Sequence, residues 1–188
     1  MLNEWSGKWE RTLANGTRQI CHVPHVAPEA WFHELYRPLG QSEIEEMERK
    51  IGQRLPDEFK AFLKISNGLN VFSDSLSIWA DRKTYQRTGD DAIQPYSLVD
   101  LNAERPKNCP PTWIFFGSYR WNGARVVLDV SETETQIKCV LKRTVQVVKT
   151  WPSFSVWLLN EITRLKDLYD ENGRKKDRMA PTCLEYTV

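Results

Sequence analysis

The chain contains no long hydrophobic run. No stretch of about 18 consecutive apolar residues, the length that crosses a membrane as a helix, occurs anywhere in it. The opening residues, MLNEWSGKWERT, hold no apolar segment of the kind found in secretory signals. The sequence therefore predicts a protein that has no membrane association and acts in the cytoplasm.

A strong charge imbalance is also absent. Lys and Arg together number 26 against 25 for Asp and Glu, which gives a formal net charge of +1. Proteins dedicated to nucleic acid usually carry a clear basic excess, and a mimic of nucleic acid would be strongly acidic. We therefore expect no direct nucleic-acid binding.

Cysteine and histidine are scarce and form no complete site. The cysteines are far apart and include no CxxC pair, so we expect reduced thiols at Cys21, Cys109, Cys139 and Cys183. The only metal-like cluster is Cys21-His22-x-x-His25, with His33 nearby. A zinc site needs about four ligands, and adjacent residues of a strand point to opposite faces. We expect a buried cysteine and surface histidines, with no metal and no cofactor.

Catalytic chemistry has one candidate in the sequence. Cys21 with a histidine could serve as nucleophile and base. No Gly-rich turn that could stabilise an oxyanion accompanies this pair. Since no other coherent set of catalytic residues occurs, we expect that the protein is not an enzyme.

The sequence is rich in clear helix signals. With 188 residues, 40% of them hydrophobic and 8 of them Trp, the chain can bury roughly 70% of the surface that it exposes when unfolded. Residues 54–68, RLPDEFKAFLKISNG, predict a helix that starts at Pro56 and ends at Asn67-Gly68. A capping box at Ser42 to Glu45 predicts a helix before it, which ends at Gly52.

The second half of the chain changes to alternation of period two. We expect short strands over 76–79, 113–121, 124–130, 137–141 and 145–148, and a strand or turn over 96–101. Ser153 caps a closing helix, whose apolar face runs from Phe154 to Leu168. The predicted class is α+β, with a largely antiparallel sheet, two helices before it and a helix after it.

Three segments are expected along the chain. Residues 1–38 form an N-terminal extension, with a hairpin over 5–23 around Asn15-Gly16 and a short helix over 29–36. Residues 39–172 form the main domain. Residues 173–188 form a charged tail that is loosely held.

Six short motifs, in order, resemble the SUKH superfamily of Smi/Knr-like proteins. They occur over about residues 39 to 165 and read Ser42-x-Ile44-x-x-Met47-Glu48, Gly52-x-x-Leu55-Pro56-x-x-Phe59-x-x-Phe62-Leu63 with Asn67-Gly68, Leu101-Asn102, Ile114-Phe115-Phe116-Gly117, Leu128-Asp129, and Ser153-Phe154-x-x-Trp157-Leu158. Residues 1–38 do not align with this family. They form either a specificity element or an extra packing layer.

The resemblance implies a mixed α/β sheet packed with helices and no catalytic activity. It also implies a function in protein binding, because bacterial relatives are largely immunity proteins that neutralise cognate polymorphic toxins, many of them nucleases. We therefore expect a bacterial immunity protein that binds one cognate protein toxin. The alternative is a regulatory scaffold like the fungal branch, which controls cell-wall synthesis.

Candidate contacts with a partner lie in two places. The polar loop over residues 81–95 carries carboxylates that could face a basic toxin surface, and aromatic residues flank its start. The hairpin tip near Asn122-Gly123 carries Tyr, Arg and Trp, the types that dominate interface hot spots. Aromatic pairing across the hairpin, or burial in the core, would also account for some of these residues. The predicted partner-binding set is Trp79, Asp81, Tyr85, Asp90, Asp91, Tyr119, Arg120 and Trp121.

Overall fold

The protein is built around one large antiparallel sheet. In this computed structural model, which describes residue 2 and residues 4–184, nine strands pair in the order in which they occur along the chain. The strands are β1 Glu10–Thr12, β2 Arg18–His22, β3 Trp31–Leu35, β4 Leu69–Val71, β5 Leu76–Ile78, β6 Trp113–Tyr119, β7 Arg125–Asp129, β8 Gln136–Val140 and β9 Val147–Trp151. Every neighbouring pair of these strands is antiparallel.

Among the described residues, four α-helices accompany the sheet, and they confirm the predicted α+β class. They are α1 Gln41–Ile51, α2 Asp57–Leu63, α3 Leu98–Ala103 and α4 Phe154–Lys166. Helices α1 and α2 lie in the connection from β3 to β4, and α3 lies in the connection from β5 to β6. Helix α4 follows the last strand, as its Ser153 cap indicates, since the Ser153 side chain accepts a hydrogen bond from the backbone N–H of Val156.

The N-terminal segment belongs to the same sheet as the rest of the chain. The predicted hairpin is confirmed as β1 and β2, but the predicted helix over residues 29–36 is wrong, because this segment forms strand β3. Strand β3 pairs with β2 on one side and with β4 on the other. This two-sided pairing, which is remote in sequence, overrides the local helical spacing. The domain boundaries at residues 38 and 172 stay predictions.

Three further predictions from local patterns need correction. Helix α1 is capped two residues earlier than the Ser42 box predicts, at Gly40, where the Glu43 carboxylate accepts a hydrogen bond of 2.8 Å from the Gly40 N–H. The segment 96–101 holds the start of helix α3, because the Ser97 hydroxyl accepts from the Asp100 N–H at 3.1 Å. The predicted strand over 145–148 begins instead at Val147 and continues to Trp151.

An aromatic cluster joins the sheet to α2 and α4. We call Phe59, Phe116, Phe154 and Trp157 the aromatic core. The ring of Phe116 lies 5.3 Å from that of Phe59 and 5.0 Å from that of Trp157, both edge-on. All four side chains are buried. Burial of each such side chain contributes roughly 1.5–3 kcal/mol, so this cluster is a main source of stability.

Two glycines of the motif set allow strands to approach closely. Gly68 has φ +78, and a Cβ there would overlap the carbonyl oxygen of Ile78 in β5. A Cβ on Gly117 would lie 2.7 Å from the carbonyl oxygen of Ser77. Because both obstacles are backbone atoms, any larger side chain would push β5 away from its neighbours.

Part of the C-terminal tail is packed, although we expected a loose tail. The Arg164 guanidinium of α4 donates hydrogen bonds to the carbonyl oxygens of Thr182 at 3.0 Å and Cys183 at 3.4 Å. The side chains of Thr182, Cys183 and Leu184 are buried. The last four residues of the predicted tail, 185–188, lie outside the described residues.

Candidate functional site

A row of polar side chains crosses seven consecutive strands at one level. Residues paired directly across neighbouring antiparallel strands project to the same face of a sheet. The chain of paired residues runs from β1 to β7 through Arg11, Gln19, Glu34, Asn70, Ser77, Ser118 and Arg125. We call this set the polar row. It marks a face of the sheet where polar groups replace the usual apolar contacts.

Hydrogen bonds connect the first half of the polar row. Arg11 Nε donates to Gln19 Oε1 at 2.8 Å, and Gln19 Nε2 donates to Glu34 Oε1 at 2.6 Å. The Tyr36 hydroxyl donates to the other oxygen of Glu34 at 3.2 Å and accepts from Asn70 Nδ2 at 2.8 Å. Burial raises the pKa of Glu34 despite these bonds. This half of the row satisfies its own polar groups.

The second half of the polar row opens into a cleft. The cleft has a volume of about 430 Å³ and lies between β5, β6 and β7, the turn after β8 and the end of the polar loop. We call it the sheet cleft. The side chains that decide its chemistry are Asp74, Trp79, Tyr96, Arg120, Arg125 and Lys142. They comprise two aromatic rings, three cations and one carboxylate.

The cations of the sheet cleft are unevenly paired. Arg120 forms an ion pair of 3.3 Å with Asp74. Within residues 2 and 4–184, no carboxylate lies within ion-pair distance of Arg125 or Lys142. Instead, the Arg125 guanidinium carbon lies 5.8 Å from the Trp79 ring centroid and 5.7 Å from that of Phe115. The cleft therefore presents a net positive surface with an aromatic backing.

The carboxylate of the cleft is held on a strained turn. Phe72, Ser73 and Asp74, between β4 and β5, have φ values of +55, +51 and +63, which L-residues rarely adopt. The buried side of the turn is fixed by hydrogen bonds, since Phe72 N–H donates to His33 Nδ1 at 3.4 Å and Tyr169 Oη donates to the Phe72 carbonyl at 3.3 Å. Such strain persists only where the surroundings enforce it.

The polar loop is anchored at both of its ends. Its start pairs with Asn67, whose side chain donates to the Asp81 carbonyl at 2.7 Å and accepts from the Asp81 N–H at 2.9 Å. Further along, the Asp90 carboxylate accepts from the Ala14 N–H at 2.7 Å, and Asn15 Nδ2 donates to the Asp90 carbonyl at 2.6 Å. The N-terminal hairpin therefore holds this loop in place.

Two of the eight predicted contact residues belong to the interior. Tyr119 is fully buried, and Trp79 is only 3% exposed. Tyr119 lies beneath α4, with the Arg164 guanidinium 5.9 Å from its ring centroid. The prediction that Tyr119 faces a partner is therefore wrong, because its alternation along β6 turns it inward. Trp79 is also a core residue, although its edge lies at the sheet cleft.

The acidic side chains of the polar loop differ in whether they are already paired within the protein or free to contact a partner. The Asp90 carboxylate is occupied by the hydrogen bond from Ala14, and Asp81 forms an ion pair with Lys83. The Asp91 side chain is exposed and makes no ion pair with any described residue. Of the three predicted carboxylates, Asp91 is the one that remains open to a partner.

The remaining predicted residues are exposed, but they do not form one surface patch. Arg120 lies in the sheet cleft. Trp121 is 49% exposed, and Lys175 Nζ lies 4.6 Å from its ring centroid. Tyr85 is 66% exposed and donates a hydrogen bond to Asp100, while Arg82 lies over its ring at 5.1 Å.

The predicted partner-binding set lacks four of the six residues that decide the chemistry of the sheet cleft, namely Asp74, Tyr96, Arg125 and Lys142. The signal for Arg125 is its position two residues after the Asn122-Gly123 turn, beside the aromatic and basic residues of the hairpin tip. Alternation gives none, since β7 continues as an unbroken apolar run from Val126 to Leu128. No local signal identifies Asp74, in the turn before β5, Tyr96, which directly follows the polar loop, or Lys142, which follows β8. Only the pairing of β5 to β8 brings these positions together.

The cysteine and histidine cluster does not form a metal or catalytic site in the structure. Cys21 is buried, as expected, but His33 is fully buried too, so the expectation of surface histidines is wrong for His33. Burial raises the pKa of the Cys21 thiol, which disfavours the reactive thiolate. His22 Nε2 lies 2.9 Å from the Pro28 carbonyl oxygen. In the part of the chain that the structure describes, no group of three or more His, Cys, Asp or Glu side chains could hold a metal ion. None of the helices described there is long and apolar enough to span a membrane.

Comparison with known proteins places the chain in a family. No curated protein matches it. A model of the SMI1 / KNR4 family (SUKH-1) matches residues 38–160, which is well over half of the chain. The match begins just before α1 and ends within α4, so it includes β4 to β9 and the sheet cleft. The chain belongs to the SMI1 / KNR4 family (SUKH-1).

Proposed function

We propose that the protein is a bacterial immunity protein. In this proposal it binds one cognate protein toxin in the cytoplasm, blocks it by stoichiometric contact and performs no catalysis. Membership of the SMI1 / KNR4 family supports a role in protein binding. The observation that carries the proposal is the sheet cleft, where Arg125 and Lys142 have no carboxylate partner among the described residues.

The residues around the sheet cleft are of the types that are enriched in protein–protein interfaces. Protein interfaces are enriched in Tyr, Trp and Arg at their centres. Tyr and Trp offer a large contact area with few rotamers, and Arg offers a planar group with several hydrogen-bond donors. Tyr96 is 53% exposed at the cleft, and Trp121 is 49% exposed at the hairpin tip. Asp91 and Tyr85, which are exposed on the polar loop outside the cleft, would form a separate contact with the partner.

A rigid frame behind this surface supports tight binding. The polar loop is fixed by Asn67 and by the N-terminal hairpin, and the turn at Asp74 is fixed by His33 and Tyr169. A surface that is ordered before binding loses little conformational freedom on association. This arrangement favours a single partner of high affinity, whereas a scaffold that recruits many proteins usually uses flexible segments.

The proposal is tested by capture of the partner. A tagged copy of the full chain is expressed in its own host, washed at high salt and analysed by mass spectrometry. We expect one partner at about equal stoichiometry, and we expect co-expression of this protein to restore growth to cells that produce the partner alone. Many partners that leave at high salt would support the regulatory scaffold instead. A host that stays fully resistant to the captured partner without this protein would contradict the immunity function.

A further inference from the structure

We propose that the sheet cleft receives an Asp or Glu side chain of the partner protein, with Arg125 as the main ligand and Lys142 as the second cation. This inference rests on the proposed function and names the chemistry that the partner presents at this one site. It follows from the pairing of charges, the orientation of Arg125 and the small size of the basic surface.

The charge balance of the cleft leaves two cations for an incoming anion. Arg120 and Asp74 neutralise one another at 3.3 Å. Arg125 and Lys142 have no such partner within the described chain, although both border the same cleft. A carboxylate that enters between them would gain two charge-assisted hydrogen bonds, which are about twice as strong as neutral ones.

Arg125 is already oriented for this task. It is half-buried on the first residue of β7, and its guanidinium lies over the rings of Trp79 and Phe115. The planar guanidinium can bind both oxygens of a carboxylate while one of its faces rests on an aromatic ring. Because the side chain is held in place, little rotamer entropy is lost when it binds.

A protein carboxylate fits better than nucleic acid. A nucleic-acid strand needs a series of cations that follow its phosphates, whereas this cleft offers two unpaired cations with Asp74 beside them. Tyr96 borders the cleft with half of its surface exposed, which gives an apolar contact for the residues that flank the acidic side chain.

The first test needs no knowledge of the partner. The full chain, labelled with ¹⁵N, is titrated with the blocked peptide acetyl-Gly-Ser-Glu-Ser-Gly-amide and with its Gln analogue, up to their solubility limits. We expect the Arg125 Nε–H and Trp79 indole N–H signals to shift with the Glu peptide and not with the Gln peptide. Arg125→Gln should abolish the Trp79 shift. Arg54→Gln should preserve it, since Arg54 is an exposed arginine that borders a different surface, near α2.

Three outcomes of this titration would overturn the inference. One is no shift at Arg125, and another is an equal shift at exposed arginines such as Arg54 and Arg87. The third is a larger shift with a single-stranded oligothymidine than with the Glu peptide, which would assign the cleft to phosphate.

The second test uses the purified partner from the capture experiment. Arg125→Gln should weaken binding about 30-fold or more, because truncation of a buried charge pair leaves the partner's carboxylate unpaired. Lys142→Gln should weaken it less, and Arg54→Gln should leave it unchanged. Equal binding by the wild type and Arg125→Gln would overturn the inference and leave the proposed function intact. Failure to capture any partner would count against the proposed immunity function alone. Carboxylate binding in the sheet cleft is tested separately by the peptide titration.

Discussion

Phe115 and Phe116 are neighbours in β6, yet they serve two different regions of the molecule. Phe116 lies in the aromatic core, where its ring meets the rings of Phe59 and Trp157. Phe115 backs the sheet cleft, where its ring meets the Arg125 guanidinium. In one region aromatic surface is used for burial, and in the other it positions a charge. Under the proposed function, this difference predicts that stability and recognition depend on separate sets of side chains within the same strand.

The largest expected effect comes from a change in the aromatic core. Phe116→Ala should lower the free energy of unfolding by about 3–5 kcal/mol, because it removes a fully buried ring that contacts α2 and α4. Chemical denaturation monitored by Trp fluorescence measures this loss. Exposed Tyr85→Ala, a matched aromatic truncation outside the core, should change it by less than about 1 kcal/mol. Similar losses in the two variants would contradict the separation of regions.

A smaller effect on stability, for each pH unit, is expected from His33, a polar side chain that lies in apolar surroundings. Its ring packs against Trp5, Phe32 and Phe72, and its Nε2 has no hydrogen-bond partner among the described residues. Burial lowers the pKa of His33 from 6.5 to about 3. Between these two values the unfolded chain binds a proton that the folded protein does not, so stability should fall as the pH falls.

The His33 contribution is measured by denaturation at a series of pH values. The free energy of unfolding should decrease by at most about 1.4 kcal/mol for each pH unit below 6.5. In the variant His33→Leu, the His33 contribution to the slope of the unfolding free energy against pH should disappear, whatever the absolute stability of the variant. A variant that keeps the wild-type slope would assign the pH dependence to other groups.

The smallest effect on stability is expected in the sheet cleft. Arg125→Gln and Lys142→Gln should each change the free energy of unfolding by less than about 0.5 kcal/mol, since neither side chain has an ion pair with a described residue. Urea denaturation of the two variants beside the wild type measures this. A loss above 2 kcal/mol in Arg125→Gln would mean that this residue stabilises the fold and that the two regions are not separate.

Most of the motif-bearing elements could be predicted from the sequence, because their signals are local. The start of α2 at Pro56, the hairpin of β6 and β7 and the Ser153 cap of α4 occur where the residues indicate. Strand β3 could not be predicted, because its two-sided pairing with β2 and β4 depends on residues far away in the chain. Short α3 was also missed, since six residues give too little periodicity.

The candidate site was less predictable than the fold. Arg120 was found because arginine at a hairpin tip is a common contact residue, whereas Tyr119 beside it turned out to be buried. Of the residues that complete the cleft, Arg125 comes from strand β7 and Lys142 from the turn after β8. Their proximity is a property of strand register, which a single sequence does not display.

The meander order of the sheet has a consequence for aggregation. An open sheet has two edges whose unpaired backbone groups could pair with another molecule. Among the described strands, β1 forms one edge and is only three residues long, with Glu10 and Arg11 exposed. At the other edge, β9 is longer and carries exposed Lys149 at its centre. A fibril built edge to edge would have to remove these charged side chains from water, so both edges resist self-association.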